Sequence, residues 1–189
     1  MEIADLEKLF GRARDLTGHT EFVIVGSNSV LGVPRDVRLP ERMTMSNDVD
    51  AYTKSDPARV FDLEEALGQR SAFAMENGYY IDPVSPKLPT LPEGWESRLF
   101  KVALPSGVTL YFLDPNDAAV SKYARGEPRD REWLQAGIDA GILSPAMIEY
   151  RMRETNFLDD DERGNAAAAF DEDRKGATRR RTRRATVRR

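Results

Sequence analysis

The chain has no cysteine and one histidine, His19, in 189 residues. Without cysteine there are no disulfides, no thiolate metal sites and no cysteine nucleophile. A single histidine argues against a His-rich metal centre or a Ser/His/Asp triad. His19 follows Gly18 and reads as a solvated turn residue. No apolar run approaches the roughly 18 residues of a membrane-spanning helix, so no membrane association is expected. The opening Met1-Glu2-Ile3-Ala4-Asp5 is acidic and amphipathic and lacks a signal-peptide pattern. These absences fit a cytoplasmic protein.

What is present suits a polar-surfaced globule: 40% hydrophobic and 32% charged residues, with enough length for one domain and its core. The net charge of −4 hides an asymmetry. Nine Lys/Arg and no acid lie from Arg174 onward, which leaves 19 Lys/Arg against 32 Asp/Glu in residues 1–173, a formal charge of −13. An acidic body is by itself a poor nucleic-acid surface.

Three- and four-residue spacing of Ile3, Leu6, Leu9, Phe10, Ala13 and Leu16 predicts an amphipathic helix over 2–16. Residues 21–25 are continuously apolar after Glu21 and predict a strand buried on both faces. Gly26-Ser27-Asn28-Ser29 opens a short helix to about Leu31, and residues 35–46 read as a loop. Further helices are expected at 57–69, from Asp114-Pro115 to Ala124, at 128–140 and at 144–155, each started by proline or a capping residue. Strands are expected at 48–53, 78–82, 98–104 and 108–113, the last two forming a hairpin around Pro105-Ser106-Gly107. The fold class is therefore α/β (α+β): a small mixed sheet within 21–113, packed helices, and a helical part over 114–155. Residues 1–158 make one domain, and 159–189, acidic and then arginine-rich, a tail expected to be disordered apart from helix around 165–175.

Chemistry concentrates in two places. Asp48 and Asp50 alternate along a strand, so both carboxylates point to one face. Such a pair is costly without a cation between its members, and a divalent metal is the usual answer; an edge strand with its acids in water is the alternative. Gly26-Ser27 follows a strand, where free backbone N–H groups can receive a phosphate; taken alone, a plain turn with a capping serine is the simpler reading.

The order Gly26-Ser27, Asp48-Val49-Asp50, then Leu113-Asp114-Pro115-Asn116-Asp117-Ala118-Ala119-Val120-Ser121-Lys122-Tyr123-Ala124-Arg125-Gly126, then Arg129-Asp130, resembles the minimal nucleotidyltransferases of the DNA polymerase β-like superfamily. Within it, the chain looks most like uncharacterised bacterial nucleotidyltransferase-like proteins related to AbiEii-type toxins. Gly78-Tyr79-Tyr80 and Leu91-Pro92-Glu93-Gly94-Trp95-Glu96 add to the likeness, which covers roughly residues 4–152.

The resemblance implies a Mg²⁺-dependent transfer of NMP from an NTP to a hydroxyl of RNA (tRNA), protein or a small molecule. It implies that Asp48 and Asp50 hold the metal, that Gly26, Ser27, Lys122 and Arg125 contact nucleotide, and that Asp130 orients Lys122 or the nucleotide. Asp82, at a strand end, is the candidate third carboxylate; Asp114 also follows a strand, but its Pro115 favours capping. A toxin–antitoxin or phage-defence role with a cognate toxin or antitoxin partner follows from the same likeness. The alternative is an inactive binding module on this fold. The tail over 179–189, with seven arginines, either contacts RNA phosphates or covers the acidic body.

Overall fold

The computed structural model describes residues 1–34 and 36–187, with backbone alone at 179 and 181–187. Helix α1 (Ile3–Thr17) buries Leu6, Leu9, Phe10 and Ala13 completely. Glu2 N–H donates to Asp5 Oδ2 at 2.8 Å at its start, and Gly18 ends it with φ +74°. Strand β1 (Glu21–Ile24) follows, and Phe22 meets Phe10 with ring centroids 4.9 Å apart.

β1 is the middle of a five-stranded mixed sheet, ordered β3-β2-β1-β5-β4. β2 (Asp48–Thr53) runs antiparallel to β1, with Ile24 opposite Ala51, and β3 (Tyr80–Pro83) runs parallel to β2. β4 (Phe100–Ala103) and β5 (Thr109–Phe112) form the hairpin, and β5 pairs parallel with β1, Ile24 beside Phe112. The central position of β1 explains its unbroken apolar run: Phe22, Val23, Ile24 and Val25 are all buried.

The connections hold more structure than expected. A 3₁₀ turn (Ser27–Gly32) follows β1, and Gly32 packs where a Cβ would meet Phe112 at 2.3 Å. The loop expected over 35–46 contains a short helix α2 (Glu41–Thr44) that buries Met43. The helix expected over 57–69 is a 3₁₀ segment (Pro57–Leu63) leading into one turn, α3 (Glu64–Leu67). An unforeseen α4 (Ala72–Asn77) starts at Ser71, whose hydroxyl accepts from Ala74 N–H at 3.1 Å.

Helices α5 (Pro115–Arg125), α6 (Pro128–Ala140) and α7 (Pro145–Arg153) stand close to their expected bounds. The tail does not. Residues Asp160–Val187 form a single helix, α8. Its buried residues Ala166, Phe170, Asp173 and Ala177 recur at four-, three- and four-residue steps, one helical face. Phe170 meets Tyr123 of α5 edge-on, centroids 5.6 Å apart. Asp173 accepts from Tyr123 Oη at 3.1 Å and from Arg131 and Gln135 of α6 at 3.0 Å each. One phenylalanine and a satisfied carboxylate thus dock a segment whose composition reads as disordered. The arginine side chains of 179–189 lie outside the described residues, except Arg180, which donates to Asp139 Oδ1 at 3.1 Å.

The chain divides into two compact units, one of Met1–Pro89 with Gly94–Asp114, the other of Thr90–Glu93 with Pro115–Arg189. In the second unit, the short segment is tied to the end of α7: Glu93 N–H donates to Glu154 C=O at 2.8 Å, and Pro92 bridges Thr155. Among the described residues no helix is long and apolar enough to cross a membrane.

Candidate metal and nucleotide site

Alternation along β2 puts Asp48 and Asp50 on one face, with Val49 and Ala51 buried on the other. The parallel pairing of β3 sets Asp82 beside Asp50 in register. Paired residues on neighbouring strands point the same way, so three carboxylates converge. Each of Asp48, Asp50 and Asp82 offers an oxygen, and these atoms all lie within 4.8 Å of one another. Asp48 and Asp50 are half-buried and Asp82 is exposed.

The turn after β1 packs against Asp50. Gly26 has φ +67° and ψ −153°, a region essentially reserved for glycine. A Cβ there would lie 1.9 Å from Asp50 Oδ2. The absent side chain is therefore a packing requirement as well as a conformational one. Val25 N–H donates to Asp50 C=O at 2.9 Å, and Ser29 Oγ donates to Gly26 C=O at 2.8 Å.

Two supports were not foreseen from sequence. Asn28, almost fully buried, donates from Nδ2 to Asp48 C=O at 2.8 Å. Ser46 Oγ donates to the Asp48 carboxylate at Oδ1. Ser46 sits two residues before Asp48, just ahead of β2, within reach of its carboxylate; that closeness in sequence was the available signal. Asn28 reaches across 20 positions of sequence and left none.

Oxygen-only ligands suit a hard divalent cation. Two ligands on opposite sides of Mg²⁺ lie about 4.2 Å apart at the usual bond length. A trio spread over at most 4.8 Å fits such an ion after small side-chain rotations.

The second cluster belongs to the other compact unit. Lys122 of α5 and Asp130 of α6 are buried together, Nζ to Oδ1 at 2.8 Å, with side chains 4% and 2% exposed. Arg125 holds the same carboxylate in a fork, Nε to Oδ2 at 2.8 Å and Nη2 to Oδ1 at 2.7 Å. Lys122 Nζ also stands 4.9 Å from the centroid of the Trp133 ring. Burial by itself raises the Asp130 pKa, but the hydrogen bonds from Arg125 and then the charge of Lys122 outweigh it and hold the group below its ordinary value. Asp114 lies just after β5, where Pro115 begins α5.

The chain matches, over residues 4–176, the family described as nucleotidyltransferase of unknown function (DUF6036). No curated protein and no solved structure matches it. A match over nearly the whole chain, on a protein whose sheet gathers three carboxylates beneath a glycine turn, fixes its membership: it belongs to the DUF6036 family of nucleotidyltransferases.

Proposed function

We propose that this protein is a Mg²⁺-dependent nucleotidyltransferase that moves an NMP from an NTP to an acceptor hydroxyl. The convergence of Asp48, Asp50 and Asp82 beneath the Gly26 turn carries this reading. Asp48, Asp50 and Asp82 hold the metal. A bound divalent ion supplies charge neutralisation on the donor phosphates and acidifies the attacking hydroxyl. The acceptor oxygen bonds to the α-phosphorus, the bond from that phosphorus to the β-phosphate oxygen breaks, and pyrophosphate leaves. Asp82, the exposed carboxylate, takes the acceptor proton.

Gly26 lets the backbone approach the triphosphate, and Ser27 donates to it. The 3₁₀ turn is only six residues long, so these local groups act rather than a helix dipole. In the second unit Asp130 holds Lys122 and the 46% exposed Arg125 in one ion cluster. The acceptor class we propose is RNA, and the setting a toxin–antitoxin or phage-defence system.

The test is incubation with each α-³²P-labelled NTP, Mg²⁺ and total RNA. Metal-dependent label in RNA is the expected result. Label in protein or a small molecule would replace the acceptor class, and no transfer from any NTP would overturn the reading.

The supports of Asp48 give a second expectation. Ser46→Ala should weaken Mn²⁺ binding about 10- to 100-fold, as losses of groups that orient a metal ligand do. Calorimetric titration checks this, with a melting curve close to that of the wild type.

A further inference from the structure

α7, α8 and the residues joining them enclose a cleft of about 580 Å³, wholly within the second compact unit and separate from the carboxylate trio. Its size suits a single organic ligand group. Three arginines converge on it: Arg153 from α7, and Arg163 and Arg174 from α8. Arg163 and Arg174 are 11 residues apart, about three helical turns, and so share a face. Each stands beside an aromatic ring, Phe157 half-buried and Phe170 buried. The Arg163 guanidinium stands 5.9 Å from the Phe157 centroid, and that of Arg174 stands 5.8 Å from Phe170.

The acids at the cleft do not cancel this charge. Glu149 lies 3.2 Å from Arg153 and 3.6 Å from Arg174, and Asp171 lies 2.9 Å from Arg174. All these side chains are more than 40% exposed, so their ion pairs are weak and easily exchanged. Asp160 approaches Arg163 only to 4.0 Å and is 99% exposed. Three arginines against Glu149 and Asp171 leave the cleft lining with a formal charge of +1, in a chain whose net charge is −4.

Guanidinium forks beside one accessible aromatic face, that of Phe157, match a phosphate–base–phosphate unit. We infer that this cleft binds single-stranded nucleic acid, with a base stacked on Phe157 and Arg163 and the flanking phosphates on Arg153 and Arg174. α8 continues for 13 residues, about 20 Å, beyond Arg174 to Val187. Arg153 and Arg174 provide two phosphate contacts for one stacking platform, which favours a strand over a lone nucleotide. The role as acceptor-holding site rests on the proposed transferase activity; the binding itself does not.

The experiment is fluorescence anisotropy with a 12-nucleotide labelled single strand and the full chain, at several salt concentrations, on wild type, Phe157→Ala, Arg153→Gln/Arg174→Gln and Asp50→Asn. Loss of one stacking platform should weaken binding about tenfold or more. Loss of two phosphate contacts should lower the slope of log K against log salt by about 1.4. Asp50→Asn should bind as the wild type does, so a failed transfer reading and a failed cleft are distinguishable. Wild-type affinity in both cleft variants would overturn the inference, as would AMP competing as well as the strand.

Photo-cross-linking of a 4-thiouridine strand to the unmodified protein keeps the inference falsifiable if Phe157→Ala fails to fold. Adducts on the peptide containing Phe157 or Arg163 are expected, and adducts confined to 179–189 would overturn it.

Discussion

Asp50→Asn should reduce nucleotidyl transfer about 10³-fold or more, the scale expected when charge is removed from a group that stabilises the transition state through a metal. Asp50 is half-buried, pairs in register with Asp82 and is covered by the turn at Gly26, so a repositioned solvent molecule replaces it poorly. Asp82→Asn removes the proposed proton acceptor and should cost about 10²- to 10⁴-fold. The sharper variant removes no acid. Gly26→Ala would place a methyl group 1.9 Å from Asp50 Oδ2 and 2.8 Å from its Cγ, in a backbone conformation that itself costs about 1–3 kcal/mol. Asp50 must then swing away, and the variant should resemble Asp50→Asn in activity and in Mn²⁺ affinity followed by electron paramagnetic resonance. Wild-type metal binding by Gly26→Ala would show that Asp50 is not a ligand.

Asp130→Asn should lower stability by about 3–5 kcal/mol, because it leaves the buried Lys122 ammonium without its carboxylate. For a chain of this length that is about 10 °C in melting temperature. Arg125, half exposed, can turn toward water; Lys122, 4% exposed, cannot. Lys122→Met combined with Asp130→Leu should recover most of the loss, since a packed apolar pair replaces a buried ion pair at little cost.

The pH dependence separates charge from shape. The folded pKa of Asp130 is depressed below the ordinary aspartate value of about 3.9, so its contribution is present above that pH and lost as pH falls through the folded value. Wild-type and Asp130→Asn denaturation midpoints should therefore differ at neutral pH and converge below about pH 3.9. Parallel curves throughout would assign the loss to geometry rather than charge.

Much of this arrangement was legible because it is local. The apolar run at Phe22–Val25 marked a central strand, and alternation at Asp48-Val49-Asp50 fixed which way two carboxylates face. Asp82 was a candidate from its place at a strand end, but its position beside Asp50 depends on a parallel pairing across some 30 residues that no local pattern encodes. Asn28 escaped notice for the same reason. α8 was misread because its burial is sparse. Phe170 is its only large buried apolar side chain among the described residues, and the polar anchor Asp173 looks like any other acid in a charged run. Short 3₁₀ segments such as Pro57–Leu63 share their apolar spacing with an α-helix, so periodicity alone could not separate them.

The division of the chain has a practical consequence. It passes between its compact units at 89/90, 93/94 and 114/115. A fragment beginning at Pro115 would contain every long helix of the second unit yet lack Thr90–Glu93, including the Glu93 N–H that meets Glu154 and the Pro92 bridge to Thr155. No single cut yields both units whole. Fragments that separate them must carry the four-residue strap in trans or graft it, and a protease nick at 114/115 leaves two pieces still interlaced by sequence.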